Sequence, residues 1–147
     1  MYTEMKNPSI QIEDGDRGKN YPSSNNCLER GYCLFLNNKN IINNKLNLND
    51  AQYITEEKHN ILGKKNIYLN DLVLTTRGIL GNALIFNKKE FLSARINSGM
   101  VIIKPNKDFI SKFLYFYFQS DFFKIKLKKW AVAQLNHNYQ LKTWILC

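Results

Sequence analysis

The sequence predicts an α+β fold: a twisted, mostly β domain with a short helix near 55–62 and a long C-terminal helix near 108–130. Three observations lead there. Short apolar runs rich in Val, Ile and Leu are separated by Gly, Asn and Asp, the punctuation of strands and turns. Thr55-Glu56-Glu57-Lys58 opens a helix, with an N-cap threonine and two acids beside the positive end of the dipole. From Phe109 to Trp130, aromatic and aliphatic residues recur at spacings of three and four.

In chain order, residues 1–9 form a lead-in and 10–147 a single domain. Ile10 and Ile12 alternate with polar residues as in a short strand. Asp14 to Pro22 is a turn-rich loop. Its Asp-Gly-Asp start lacks the later acids and terminal Glu of a calcium loop. Tyr32 to Leu36 is an apolar strand closed by Asn37-Asn38-Lys39-Asn40, and residues 41–49 read as irregular. Tyr53-Ile54 is a strand, and the short helix then runs to Leu62 and Gly63. His59 on that helix has no second ligand at helical spacing, so it reads as a surface or half-packed side chain rather than a metal ligand.

Leu72 to Leu74 and Ala83 to Phe86 form a hairpin-like pair, and Met100 to Ile103 is a buried strand ended by Pro105. Asp108 is the expected N-cap of the long helix, roughly 35 Å from end to end at the α-helical rise. Its aromatics read as core, because their spacing is helical. Lys124, Lys126, Lys128 and Lys129 load its last turns with charge. Leu141 to Leu146 is a last short strand.

The net charge of +9 is one-sided. Residues 1–62 hold seven Lys/Arg against eight Asp/Glu, and residues 63–147 hold fourteen against four. Charge alone leaves open a polyanionic partner or a solvated lysine-rich surface. Cys27, Cys33 and Cys147 are odd in number and lack Cys-x-x-Cys spacing, which argues against a disulfide framework or zinc site. Reduced thiols, no apolar leader and no membrane span imply a cytoplasmic protein. No phosphate loop, dinucleotide fingerprint, metalloprotease pair or nucleophile elbow is present, so no catalytic site is expected.

The stretch Asn70 to Gly81, Asn-Asp-Leu-Val-Leu-Thr-Thr-Arg-Gly-Ile-Leu-Gly, delivers Arg77 from a strand to a tight turn. Arginine there suits the grip of an anion. Arg95-Ile96-Asn97-Ser98-Gly99 repeats the pattern at a second strand. Asp71, Gly78, Gly81 and Gly99 read as turn-shaping residues.

Several blocks, taken in order, carry a resemblance. They are Asp14 to Pro22, Gly31 to Leu36, Tyr53-Ile54 with Glu56 to His59, Asn70 to Gly78 with Gly81-Asn82, and Ala94 to Ile102. Together they resemble a target-recognition domain of the DNA specificity subunit of type I restriction–modification enzymes. The similarity spans roughly residues 10–142. It implies a non-catalytic protein of bacterial defence that reads one half of a split double-stranded DNA target. Its partners would be the methylation and restriction subunits, with no membrane and no small-molecule substrate. No cofactor is expected in this chain; S-adenosylmethionine, ATP and Mg would act on the partner subunits.

The chain departs from that family in two places. Ala131-Val132-Ala133-Gln134 is followed by Leu135, where the family has a Gly-Ser-Ala-Gln-like turn and a Pro. The family's spacer helix and second recognition domain are also expected to be missing, as in a truncated product.

Under this reading Arg77 and Arg95 are the base readers, since guanidinium groups pair bidentately with guanine. Thr75, Thr76, Asn97 and Ser98 are helpers or phosphate contacts. Arg17, Lys19 and Lys39 are further DNA-binding candidates. A surface ion-pair role for the arginines stays open, as does a non-catalytic protein-interaction domain or a non-functional remnant.

Overall fold

A computed structural model of the chain describes residues 10–63, 65–106 and 110–134. Strands β1 (Gln11–Asp14), β2 (Cys33–Leu36), β3 (Ile41–Ile42), β4 (Lys45–Leu46) and β5 (Gln52–Ile54) precede helix α1 (Glu56–Leu62). Strands β6 (Leu72–Thr75), β7 (Ala83–Ile85), β8 (Ser93–Ile96) and β9 (Met100–Lys104) follow. Helices α2 (Ser111–Gln119) and α3 (Asp121–Gln134) complete the described chain.

Two sheets carry the fold. The larger is antiparallel, in the order β1-β9-β6-β7, and the smaller is β5-β2-β8 with β2 and β8 parallel. Alternation along the strands sends side chains to both faces of the larger sheet. Leu72, Leu74, Val101 and Ile103 pack with Leu114, Phe118, Phe123, Leu127 and Trp130 of the last two helices. Val73, Met100 and Ile102 pack instead with Leu34, Leu36, Ala94 and Ile96 of the smaller sheet. On the far side of that sheet, Cys33, Phe35 and Ile54 meet Tyr21, Cys27 and Leu62. The order is thus helices, sheet, sheet, then α1 with its neighbouring loop. Burial on both faces explains why Leu-Val-Leu and Met-Val-Ile-Ile are continuous apolar runs.

Helix α1 matches the sequence reading: Thr55 Oγ1 accepts from Lys58 N at 3.1 Å, and Gly63 ends the helix at φ +78°. Residues 41–49 differ from it. They hold a hairpin, β3 with β4, turned by Asn43 and Asn44 at φ +50° and +60°. Two consecutive positive φ values make the tight turn that matches strand twist, and asparagine tolerates them.

The single long helix is corrected to two. Ser120 takes ψ 148° and breaks the run; its Oγ donates to Tyr117 O at 2.6 Å and accepts from Phe123 N at 3.2 Å. A serine that caps the next helix competes with continuing the last one. The break rephases the aromatics. Leu114, Phe118, Phe123, Leu127 and Trp130 are buried, whereas Phe113 and Phe116 are exposed. Helix α2 starts after Ile110; the expected Asp108 cap and the 141–146 strand lie outside the described residues.

Candidate nucleic-acid interface

Register places four connections at one end of the sheets. Asp14 pairs with Val101, Thr75 with Met100, and Leu36 with Ile96. The segments leaving β1, β2, β6 and β8 therefore emerge together, each at the end of a rigid strand, where recognition loops are best supported.

These segments are tied to one another. Gly15 N donates to Met100 O at 3.1 Å, and a Cβ on Gly15 would lie 1.8 Å from Asn97 O. Only glycine allows that approach. Gly99 O accepts from the backbone N–H groups of Thr76 and Arg77, at 2.8 and 3.2 Å, and from Thr76 Oγ1 at 3.1 Å. Asn97 Oδ1 accepts from Gly99 N at 3.0 Å. Asn38 donates its amide to the Arg77 carbonyl and packs against Gly78 and Gly99. The β6–β7 turn closes with Asn82 N donating to Thr75 Oγ1 at 2.9 Å, and Gly78 and Gly81 sit at φ +67° and +82°. Gly81 also lies against Leu127, so the basic helix α3 runs beside this loop. At the far end of β6, Asp71 accepts from Tyr68 N at 2.9 Å and pairs with Lys104 at 3.0 Å.

Arg17, Lys19, Lys39 and Arg77 are exposed on these connections, and Asn97 and Ser98 are half-buried. Arg17 Nη2 donates to Ser98 O at 3.3 Å, joining the first loop to the β8–β9 turn. Lys39 follows Asn38, which holds Arg77. Thr75 and Thr76 require correction. Both are buried, and their hydroxyls serve the loop frame rather than a phosphate.

Arg95 requires the larger correction. It is 0% exposed, inside β8, and its guanidinium is consumed by protein groups. Nη1 donates to Asp16 Oδ2 at 2.8 Å, Nε to His59 Nδ1 at 3.1 Å, and Nη2 to the carbonyls of His59 and Gly63. It has no face left for a base. His59 is buried too, not on the surface. Burial and the neighbouring Arg95 charge hold its pKa below the usual histidine value, against the opposite pull of Asp16 and Glu56. The sequence carried a signal of this. Ala94 and Ile96 flank Arg95 within a strand buried on both faces, and Asp16 was there to neutralise it.

Asn38 and Gln52 were not singled out in the sequence. Asn38 hides in the run Asn37-Asn38-Lys39-Asn40, where nothing marks one asparagine as the bridge between loops. Among the described residues, no three metal-ligating side chains gather, and no helix is long and apolar enough to cross a membrane.

No protein-family model matches the sequence, and no curated protein sequence does. Solved structures do. The crystal structure of the HsdS subunit from Thermoanaerobacter tengcongensis superimposes with a TM-score of 0.64 at 14% identity, over 95% of this chain. The chain has the fold of an HsdS target-recognition domain. It spans about 30% of the length of that subunit. A chain from a structure of the type I R-M system, concerned with complex assembly and conformational transition, matches with a TM-score of 0.55 at 16% identity. That match covers 76% of this chain and 25% of the other.

Proposed function

We propose that this chain binds double-stranded DNA through its loop end, as the recognition module of a type I restriction–modification specificity component. One observation carries the reading. Three connections bring Arg17, Lys19, Lys39 and Arg77, all exposed, to one end of an HsdS-like fold, where the β8–β9 turn joins them. Lysines and arginines on rigid loops neutralise phosphates, and arginine also reads guanine edges. Lys124, Lys128 and Lys129 are exposed on α3, whose Leu127 lies against Gly81 of the β6–β7 loop. The module is non-catalytic in this reading. Methylation and restriction subunits would do the chemistry with S-adenosylmethionine, ATP and Mg, and this chain would direct them to a half-site.

The test is duplex binding by the full-length chain across a salt series. Three phosphate contacts, from Arg17, Lys19 and Lys39, give a slope of log affinity against log salt of about −3. Binding that is absent, or flat in salt, would overturn the reading. A second reading, a non-catalytic protein-interaction domain, draws on Phe113, Phe116, Phe122 and Ile125, which are exposed on α2 and α3. It expects weak duplex binding with little salt dependence.

A further inference from the structure

A cleft of about 410 Å³ opens beside the β2 end of this surface, lined by Asn37, Asn38, Lys39, Asp50, Gln52 and Asn97. Its lining divides by how far each group is committed. Asn37 Oδ1 accepts from Lys39 N at 2.9 Å, Asn38 donates to the Arg77 carbonyl, and Asn97 Oδ1 accepts from Gly99 N at 3.0 Å. Each of the three asparagines thus spends one amide atom on the frame, while Asn38 Oδ1 is buried without a hydrogen-bond partner. The side chains of Lys39, Asp50 and Gln52 make no hydrogen bond or ion pair to another described residue. All three are exposed.

The free groups decide what the cleft suits. A phosphate seated inside the cleft would be attracted by Lys39 but repelled by Asp50, so the cleft floor does not suit one and Lys39 is left for a phosphate outside its rim. A base edge meets better chemistry. A glutamine amide offers one acceptor and one donor side by side, the complement of the amino group and N7 of adenine in the major groove. A carboxylate accepts from an exocyclic amine and gains nothing from a carbonyl edge. The edge strand β5 holds the Gln52 backbone in register opposite Phe35, so its amide is presented from a fixed base.

We infer that Gln52 reads an adenine edge in this cleft, with Asp50 accepting from an amino group beside it and Lys39 on the flanking phosphate. This rests on the proposed duplex binding, and it names a specificity-determining residue for it. The experiment is selection from a random-sequence duplex pool by the full-length chain, comparing the wild type with Gln52→Ala, Gln52→Glu and Lys39→Ala. The wild type is expected to enrich adenine at one position. Gln52→Ala relaxes that position alone, by about tenfold, and leaves the salt slope intact. Gln52→Glu moves the preference toward cytosine, because a carboxylate only accepts. Lys39→Ala keeps the preference and reduces the salt slope by about 0.9.

A wild-type preference that survives both Gln52 substitutions overturns this inference while duplex reading stands. A Gln52→Ala variant that weakens all sequences equally and keeps the adenine preference makes Gln52 a sequence-independent contact and overturns it as well. Failure of the wild type to enrich any sequence defeats the proposed function itself.

Discussion

The guanidinium of Arg95 donates to the carboxylate of Asp16 at 2.8 Å, with both side chains buried. Asp16 belongs to the loop that carries Arg17 and Lys19, and Arg95 to a strand in the middle of the chain. The pair fastens that loop to the smaller sheet and to α1 through His59 and Gly63. A buried pair of this kind owes its strength to completeness, since each charge has lost its water.

Removing one member should therefore be severe. Asp16→Ala leaves a buried guanidinium without its counter-charge, and the expected loss of stability is about 3–5 kcal/mol. Urea denaturation of the variant beside the wild type measures it. A loss under about 1 kcal/mol, the range of an exposed ion pair, would mean the pair is open to solvent.

His59 makes this network sensitive to acid. Its Nδ1 accepts from Arg95 Nε, so the ring must be unprotonated there. Burial and the Arg95 charge lower its pKa in the folded state from the ordinary 6.5. The unfolded chain then takes up the proton first as pH falls. Stability contributed by the neutral ring is fully present above about 6.5 and is lost progressively below it. Thermal midpoints between pH 7.5 and 5 should fall for the wild type. His59→Gln keeps an acceptor without a titrating group, and part of that fall should disappear. An unchanged pH profile in the variant would assign the acid sensitivity elsewhere.

Strand and helix positions were legible where one physical signal dominated. Apolar runs bounded by Gly and Asn gave β2, β6, β7 and β9, and Thr55 with two acids gave α1. The signal failed where tertiary partners decide. The aromatic period from Phe109 to Trp130 suits one long helix, yet Ser120 spends its hydroxyl on a cap and turns the chain, bringing Phe118 and Phe123 to 4.6 Å. Arginine chemistry is the same on a surface and in a core. Arg77 and Arg95 looked alike in sequence, and only the position of Asp16, 79 residues away from Arg95, separates them. Gln52 carried no local mark, because a cleft is made by segments distant in sequence.

Two glycines of the first loop separate packing from backbone strain. Gly15 has no room for a Cβ, which would collide with Asn97 O, whereas Gly18 faces open space at φ +105°. Gly15→Ala should cost about 3 kcal/mol, since backbone must shift to relieve the overlap. Gly18→Ala should cost only about 1 kcal/mol, the strain of a left-handed residue. Equal effects in denaturant titrations would contradict the close approach of this loop to the β8–β9 turn.

Arg77 is held by its backbone, not its side chain. Its N–H donates to Gly99 O, its carbonyl accepts from Asn38, and its guanidinium is exposed. A side chain launched from so fixed a point suits bidentate reading of guanine, for which the planar arginine fork is pre-organised and the flexible lysine ammonium is not. Arg77→Lys keeps the charge. It should hold the salt slope of duplex binding and lose about 1–3 kcal/mol of preference at one guanine. Asn38→Ala should loosen the same preference without changing the slope, because it removes the support and no charge. If Arg77→Lys leaves the preference untouched and Arg77→Ala lowers the slope by about 0.9, the side chain holds a phosphate, and the base is read from elsewhere on the loop end.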